Sequence, residues 1–119
     1  MKEKIVIWLG SSKKDLMSLS SDVIDEIGYA LHIAQIGQRH PDAKVLKGFD
    51  SAGVVEIIAD DNVGTYRAVY TVKFKEVVFV LHVFQKKSKS GIATPKKDMD
   101  LVSSRLKQAE EIYKEKYLK

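Results

Sequence analysis

Between residues 54 and 85 the chain runs through three β-type segments separated by tight turns, and this fixes how its sheet must pair. Residues 54–59 (VVEIIA) are rich in β-branched side chains, Asp60-Asp61-Asn62 with Gly64 supplies turn chemistry, and residues 65–74 return. Lys75-Glu76 is a second tight turn. Tight turns join antiparallel neighbours, so the three strands form a meander. The third, residues 77–85, is the most apolar and belongs at the centre of the sheet, covered on both faces.

The flanks read as helices with one more strand. Residues 4–9 (KIVIWL) end at Gly10 and predict a short buried strand. Ser12 and Asp15 have capping-box spacing and open a helix over about 13–19, which Ser20-Ser21-Asp22 interrupts and restarts. Val23, Ile27, Leu31 and Ala34 then recur at the spacing of an amphipathic helix that Gly37 ends. Residues 38–53, with His40-Pro41, Gly48 and Gly53, read as a loop. Thr94 as N-cap and Pro95 in the first turn start a final helix whose apolar side carries Leu101 or Val102, Leu106, Ala109 and Tyr113. The fold class is α+β, with an N-terminal helix pair and a C-terminal helix packed on a mostly antiparallel sheet. A chain of 119 residues with 45% hydrophobic content supports one core, so a single domain over 1–119 is expected.

Several classes drop out. Cysteine is absent, which removes disulfide frameworks, thiolate zinc sites and cysteine nucleophiles, and suits a reducing cytoplasm. The first nine residues hold five consecutive apolar side chains, too few for a signal-peptide core or a membrane span. His32, His40 and His82 fall in a helix, a loop and a strand without metal-ligand spacing, and the acids are scattered along the chain without a cluster. Neither a metal site nor a paired-carboxylate hydrolase is expected.

The basic excess is concentrated. Residues 62–97 carry eight Lys or Arg against the single acid Glu76, while the whole chain is only +4. A polyanion partner, nucleic acid first, follows. Alternation puts Arg67 on the same face as Val69, Thr71 and Lys73, opposite Tyr66, Ala68, Tyr70 and Val72. There its guanidinium either snorkels and pairs with Glu56 or Asp60, or meets a phosphate, which its planar fork suits. Lys86, Lys87 and Lys89 follow the apolar strand, and Lys96 and Lys97 open the last helix, where cations oppose the helix dipole unless an anion lies near. The alternative for such a run is a solvated face that guards a hydrophobic strand. His82 alternates with Phe84 and Lys86, either as a satisfied core histidine or as an acid, base or stacking group.

GTYRAVYTV at 64–72, VLHVFQKKSKSGIATPKKD at 80–98, DAKVLKGFDSAGVVEI at 42–57 and IGYALHIAQIGQRHPDA at 27–43 resemble the phage-derived, HigB-like branch of the RelE toxin superfamily. The resemblance implies a small twisted antiparallel sheet with a helix pair and a C-terminal helix. It also implies a type II toxin that cuts messenger RNA, usually on the ribosome, and is held inactive by an antitoxin with a helix-turn-helix DNA-binding domain. DNA is then met only through that antitoxin. The implied mechanism needs no metal or cofactor: the ribose 2′-hydroxyl attacks the adjacent phosphodiester while basic side chains stabilise the pentacovalent phosphate. By position, Arg67 stabilises phosphate, Lys86 and Lys87 come next, and Lys47 reaches the same cleft, with His82 a further candidate. Tyr66 or Phe84 stacks on a base, and Lys89, Lys96 and Lys97 hold the RNA backbone. The superfamily's C-terminal tyrosine or histidine has no counterpart, because the chain continues into a basic helix. A second reading is a non-catalytic toxin-like module that binds RNA or antitoxin and acts through the complex in transcriptional autoregulation.

Overall fold

The computed structural model describes residues 2–49, 52–86 and 95–118. Its elements are β1 (Ile5–Trp8), α1 (Ser12–Met17), α2 (Ser21–Gln35), β2 (Lys44–Val45), β3 (Val54–Asp60), β4 (Thr65–Thr71), β5 (Val77–Lys86) and α3 (Lys96–Tyr117). The five strands form one sheet in the order β1-β5-β4-β3-β2. The meander pairs antiparallel as its turns require, and β1 joins β5 in parallel. β5 is therefore internal, and all but its last three residues are buried.

Helices cover both sides. Val23, Ile27, Ala30, Leu31 and Ala34 of α2 pack with Val55, Ile57, Tyr66, Ala68, Tyr70 and Val80 on one face. Val102, Leu106 and Ala109 of α3 pack with Val54, Val69, Phe79 and Leu81 on the other. The two faces follow the period-two alternation of β3 and β4, so sequence pattern alone sorts these residues.

The helix boundaries show which caps operate. Ser20 begins α2, its Oγ accepting from the amide of Val23 at 3.3 Å, and Gly37 ends the helix with φ +85, which a side chain disfavours. Ser12 does not cap α1. Ser11 holds that position and its hydroxyl donates to Asp15, while Ser12 lies buried inside the helix and donates to the carbonyl of Val80 at 3.4 Å. Pro95 takes the N-cap position of α3 rather than its first turn, and Thr94 lies outside the described residues.

Other expectations need correction. β1 is an edge strand, with Ile5 49% exposed, because among the described residues it pairs with β5 alone. Part of the expected loop pairs with β3 as β2, with Lys44 opposite Glu56. β4 stops at Thr71, whose hydroxyl donates to the carbonyl of Ala52 and accepts from the amide of Lys73, bending the chain. Phe74 then turns inward, its ring 5.2 Å from Phe79 and 4.6 Å from Tyr113.

A β-bulge aims the upper part of β5. Val69 pairs with His82 and Tyr70 with Val80, so Leu81 is an extra residue on that strand. Leu81 packs in the α3-side cluster, and its carbonyl accepts from Arg105 of α3 at 2.8 Å. The same guanidinium lies against Gly10, where an added Cβ would sit 2.4 Å from Nη2. The left-handed backbone at Gly10, φ +53, favours glycine there.

Candidate functional site

Strand register sets the site on the α3-facing side of the sheet, around the first turn of that helix. Directly paired residues share a face, which gives two rungs. Lys44, Glu56, Val69 and His82 form one, and Ile58, Arg67 and Phe84 form the next. Thr65 and Lys86 continue the surface on the far side of the second rung. α3 covers the apolar part of this face with Val102, Leu106 and Ala109, and its first turn brings Asp98 to His82.

Arg67 is 3% exposed, and its Nη1 lies 3.3 Å from Oε2 of Glu56, a diagonal neighbour on β3. The pairing expected of a strand arginine is thus present. It also holds the guanidinium in one place on the face. Nε2 of His82 is 2.8 Å from Oδ1 of Asp98, and the imidazole stacks on Phe84 with centroids 4.5 Å apart and 16° between planes. Phe84 is partly exposed, as is Lys86, while Ile58 is exposed. One ion pair, the His82–Asp98 contact, one aromatic ring and a flanking lysine therefore share a patch of sheet.

Each predicted residue can now be placed. Arg67, His82, Phe84 and Lys86 come together on this face. Lys47 is exposed in the loop before β3, and the adjoining Gly48 faces Met99 of α3, which sets the loop beside the helix's first turn. Lys96 and Lys97 are exposed on that turn, Lys96 paired with Asp100 at 3.0 Å. Tyr66 does not join them. It is buried in the α2-side cluster, because an odd–even neighbour of Arg67 must point to the opposite face. Lys87 and Lys89 lie outside the described residues. Lys73 is exposed after β4, pairs with Glu110 at 2.9 Å and lies 5.6 Å from the Phe74 ring centre.

Sequence reasoning missed Lys44, Asp98 and Arg105. Lys44 sits on a two-residue strand that has no period to read; Asp98 and Arg105 act through contacts with β5 that only the helix docking creates. Among the described residues no group of three or more His, Asp or Glu could hold a metal ion, and no helix is long and apolar enough to cross a membrane.

A family described as Phage derived protein Gp49-like matches residues 14–107, which contain the whole sheet except β1 and all of the polar patch. The chain belongs to the Gp49-like family. Its fold is RelE-like: the chain is similar to a two-arginine mutant of the E. coli toxin RelE in the free state, at 18% identity and a TM-score of 0.56. That match covers 91% of this chain and 98% of that one. A chain of the toxin–antitoxin complex RelBE2 from Mycobacterium tuberculosis matches at 21% identity and a TM-score of 0.43, over 71% of this chain and 99% of that one. No curated protein matches the sequence. The phage-derived family and the RelE-like fold are those expected from the sequence.

Proposed function

We propose that this Gp49-like protein is the toxin of a type II toxin–antitoxin pair, of the HigB-like branch. In this reading one domain cuts ribosome-bound messenger RNA in the cytoplasm and so stops translation and growth. The observation that carries the reading is the Arg67–Glu56 pair on a sheet face that also holds His82, Phe84 and Lys86.

That set is suited to breaking RNA at its own 2′-hydroxyl. Glu56 takes the 2′-hydroxyl proton, the 2′-oxygen bonds to phosphorus, and the phosphorus–O5′ bond breaks as His82 delivers a proton to the 5′-oxygen. The products are a 2′,3′-cyclic phosphate and a 5′-hydroxyl. Charge builds on the non-bridging oxygens, and Arg67 with Lys86 and Lys44 faces it from fixed positions; removing one such group typically costs about 10²–10³ in rate. Phe84 offers a flat apolar surface for a base. The partner is an antitoxin with a helix-turn-helix domain, through which DNA is bound.

The burial of Arg67 favours a second reading, a toxin-like module that binds RNA or antitoxin without cutting and acts in transcriptional autoregulation. Induced expression without a partner, followed by mapping of transcript ends, separates the two. Growth arrest with new internal 5′ ends is expected; arrest with intact messages, or no arrest, would overturn the nuclease.

A further inference from the structure

His82 carries more constraint than a proton donor at the end of a strand needs. Nε2 faces the Asp98 carboxylate at 2.8 Å, one ring face is stacked on Phe84, and Nδ1 is buried with no hydrogen-bond partner among the described residues. An ionised carboxylate only accepts, so in the neutral ring the proton belongs on Nε2 and Nδ1 is bare. Burying a polar atom without a partner forfeits its hydrogen bond to water and gains none in return. Such atoms call for a reason, and use by a ligand is one.

We infer that Asp98 is a positioning residue: it holds His82 in the Nε2-protonated form and leaves Nδ1 as the nitrogen that serves the substrate. The inference rests on the ribonuclease reading for its consequence, not for its geometry. In the reaction the imidazolium carries a proton on each nitrogen, and the one on Nδ1 passes to the 5′-oxygen as the phosphorus–oxygen bond breaks. The ring is left with its proton on Nε2, the form from which Asp98 accepts. No nitrogen has to turn. Among the described residues, the other charged groups on these rungs are Lys44, Glu56, Asp60, Arg67 and Lys86; Glu56 is engaged by Arg67, and Asp98 is the acid in contact with His82.

Asp98 lies in the first turn of α3, so the inference makes the seating of that turn a condition of activity. Of the polar contacts that α3 makes with the rest of the described chain, through Asp98, Arg105, Glu110 and Tyr113, the one from Asp98 reaches His82.

The test reads the two ring nitrogens of His82 by long-range proton–nitrogen NMR on the free protein, with the signals assigned by His82→Gln. It compares the wild type with Asp98→Asn and Asp98→Glu. The wild type should carry its proton on Nε2, and Asp98→Asn should shift population to Nδ1. In cleavage of ribosome-bound message, Asp98→Asn should lower kcat by about tenfold or more with KM unchanged, and Asp98→Glu should recover most of it. A wild-type ring protonated on Nδ1, or a tautomer that Asp98→Asn leaves unchanged in a protein that still melts cooperatively, would overturn the inference. A wild type that cuts no RNA would overturn the ribonuclease reading instead, and the NMR result would still decide what Asp98 does to His82.

Discussion

The two ends of α3 meet the same sheet by different chemistry. Toward its C-terminus Leu106, Ala109 and Tyr113 join an aromatic series in which Phe79, Phe74, Tyr113 and Tyr117 touch in turn, and the Tyr113 hydroxyl donates to Glu76. At its N-terminus a single carboxylate reaches His82, with Arg67 and Glu56 beyond. Apolar contact is non-directional and divides among many atoms, whereas each polar contact depends on one partner. Holding the helix and shaping the site are therefore separable tasks.

Phe79→Ala tests the first task with the largest expected effect. Loss of a fully buried ring should cost about 3–5 kcal/mol in urea unfolding, while the folded fraction keeps its cutting rate. A loss under about 1 kcal/mol would mean that the aromatic end is not the anchor.

Arg67 tests the second. Truncation to alanine would leave Glu56, whose side chain is 13% exposed, without this partner, so it should harm the fold as well as the chemistry. Arg67→Lys is the better probe because it keeps the charge and loses only the planar fork. Its cleavage rate should fall by about 10²–10³ while the unfolding midpoint stays close to wild type. A folded, fully toxic Arg67→Lys protein would end its assignment as the phosphate clamp.

The α2 face offers a control far from the polar patch. Tyr70 is buried there with no hydrogen-bond partner for its hydroxyl among the described residues, and burial pushes its pKa up to about 12 from 10.0. The unfolded tyrosine ionises first, so the contribution is complete below pH 10 and is lost as pH rises toward 12. Phenolate absorbance should show a late-titrating tyrosine that Tyr70→Phe removes, beside Tyr113, which its hydrogen bond to Glu76 also raises, and the variant's stability should fall less across that interval. The smallest effect belongs to Lys96, whose pair with Asp100 is exposed. Lys96→Ala should change stability by under about 0.5 kcal/mol. If Lys96 meets a phosphate, it should also reduce the salt slope of single-stranded RNA binding by about 0.7.

Period and turn chemistry made much of the fold legible. The meander, the central place of β5, the α2 stripe and the opposite orientations of Arg67 and Tyr66 all follow from local spacing. What stayed hidden involves distance or irregularity. β2 is too short to show a period, the extra residue Leu81 breaks alternation without a glycine to announce it, and the parallel β1–β5 pairing joins segments with no common pattern. At the site, alternation grouped Arg67 with its row and named Glu56 as one partner, and it set His82 beside Phe84. It could not supply Asp98, because helix docking is a tertiary event. Tyr66 obeys the same alternation: it lies opposite Arg67 and is core, away from any base that Phe84 would meet.

The parallel pairing of β1 with β5 also bears on how the chain is made. Ser12, just past β1, donates to a carbonyl 68 positions later, so β1 waits for β5 before it has a strand to join. Contacts of that span slow folding, and synthesis proceeds from the N-terminus. His82 and Asp98 emerge later still. A nascent chain would thus lack its polar patch until synthesis has passed Asp98, so the patch assembles well after the strands that carry Arg67 and Glu56 have been made.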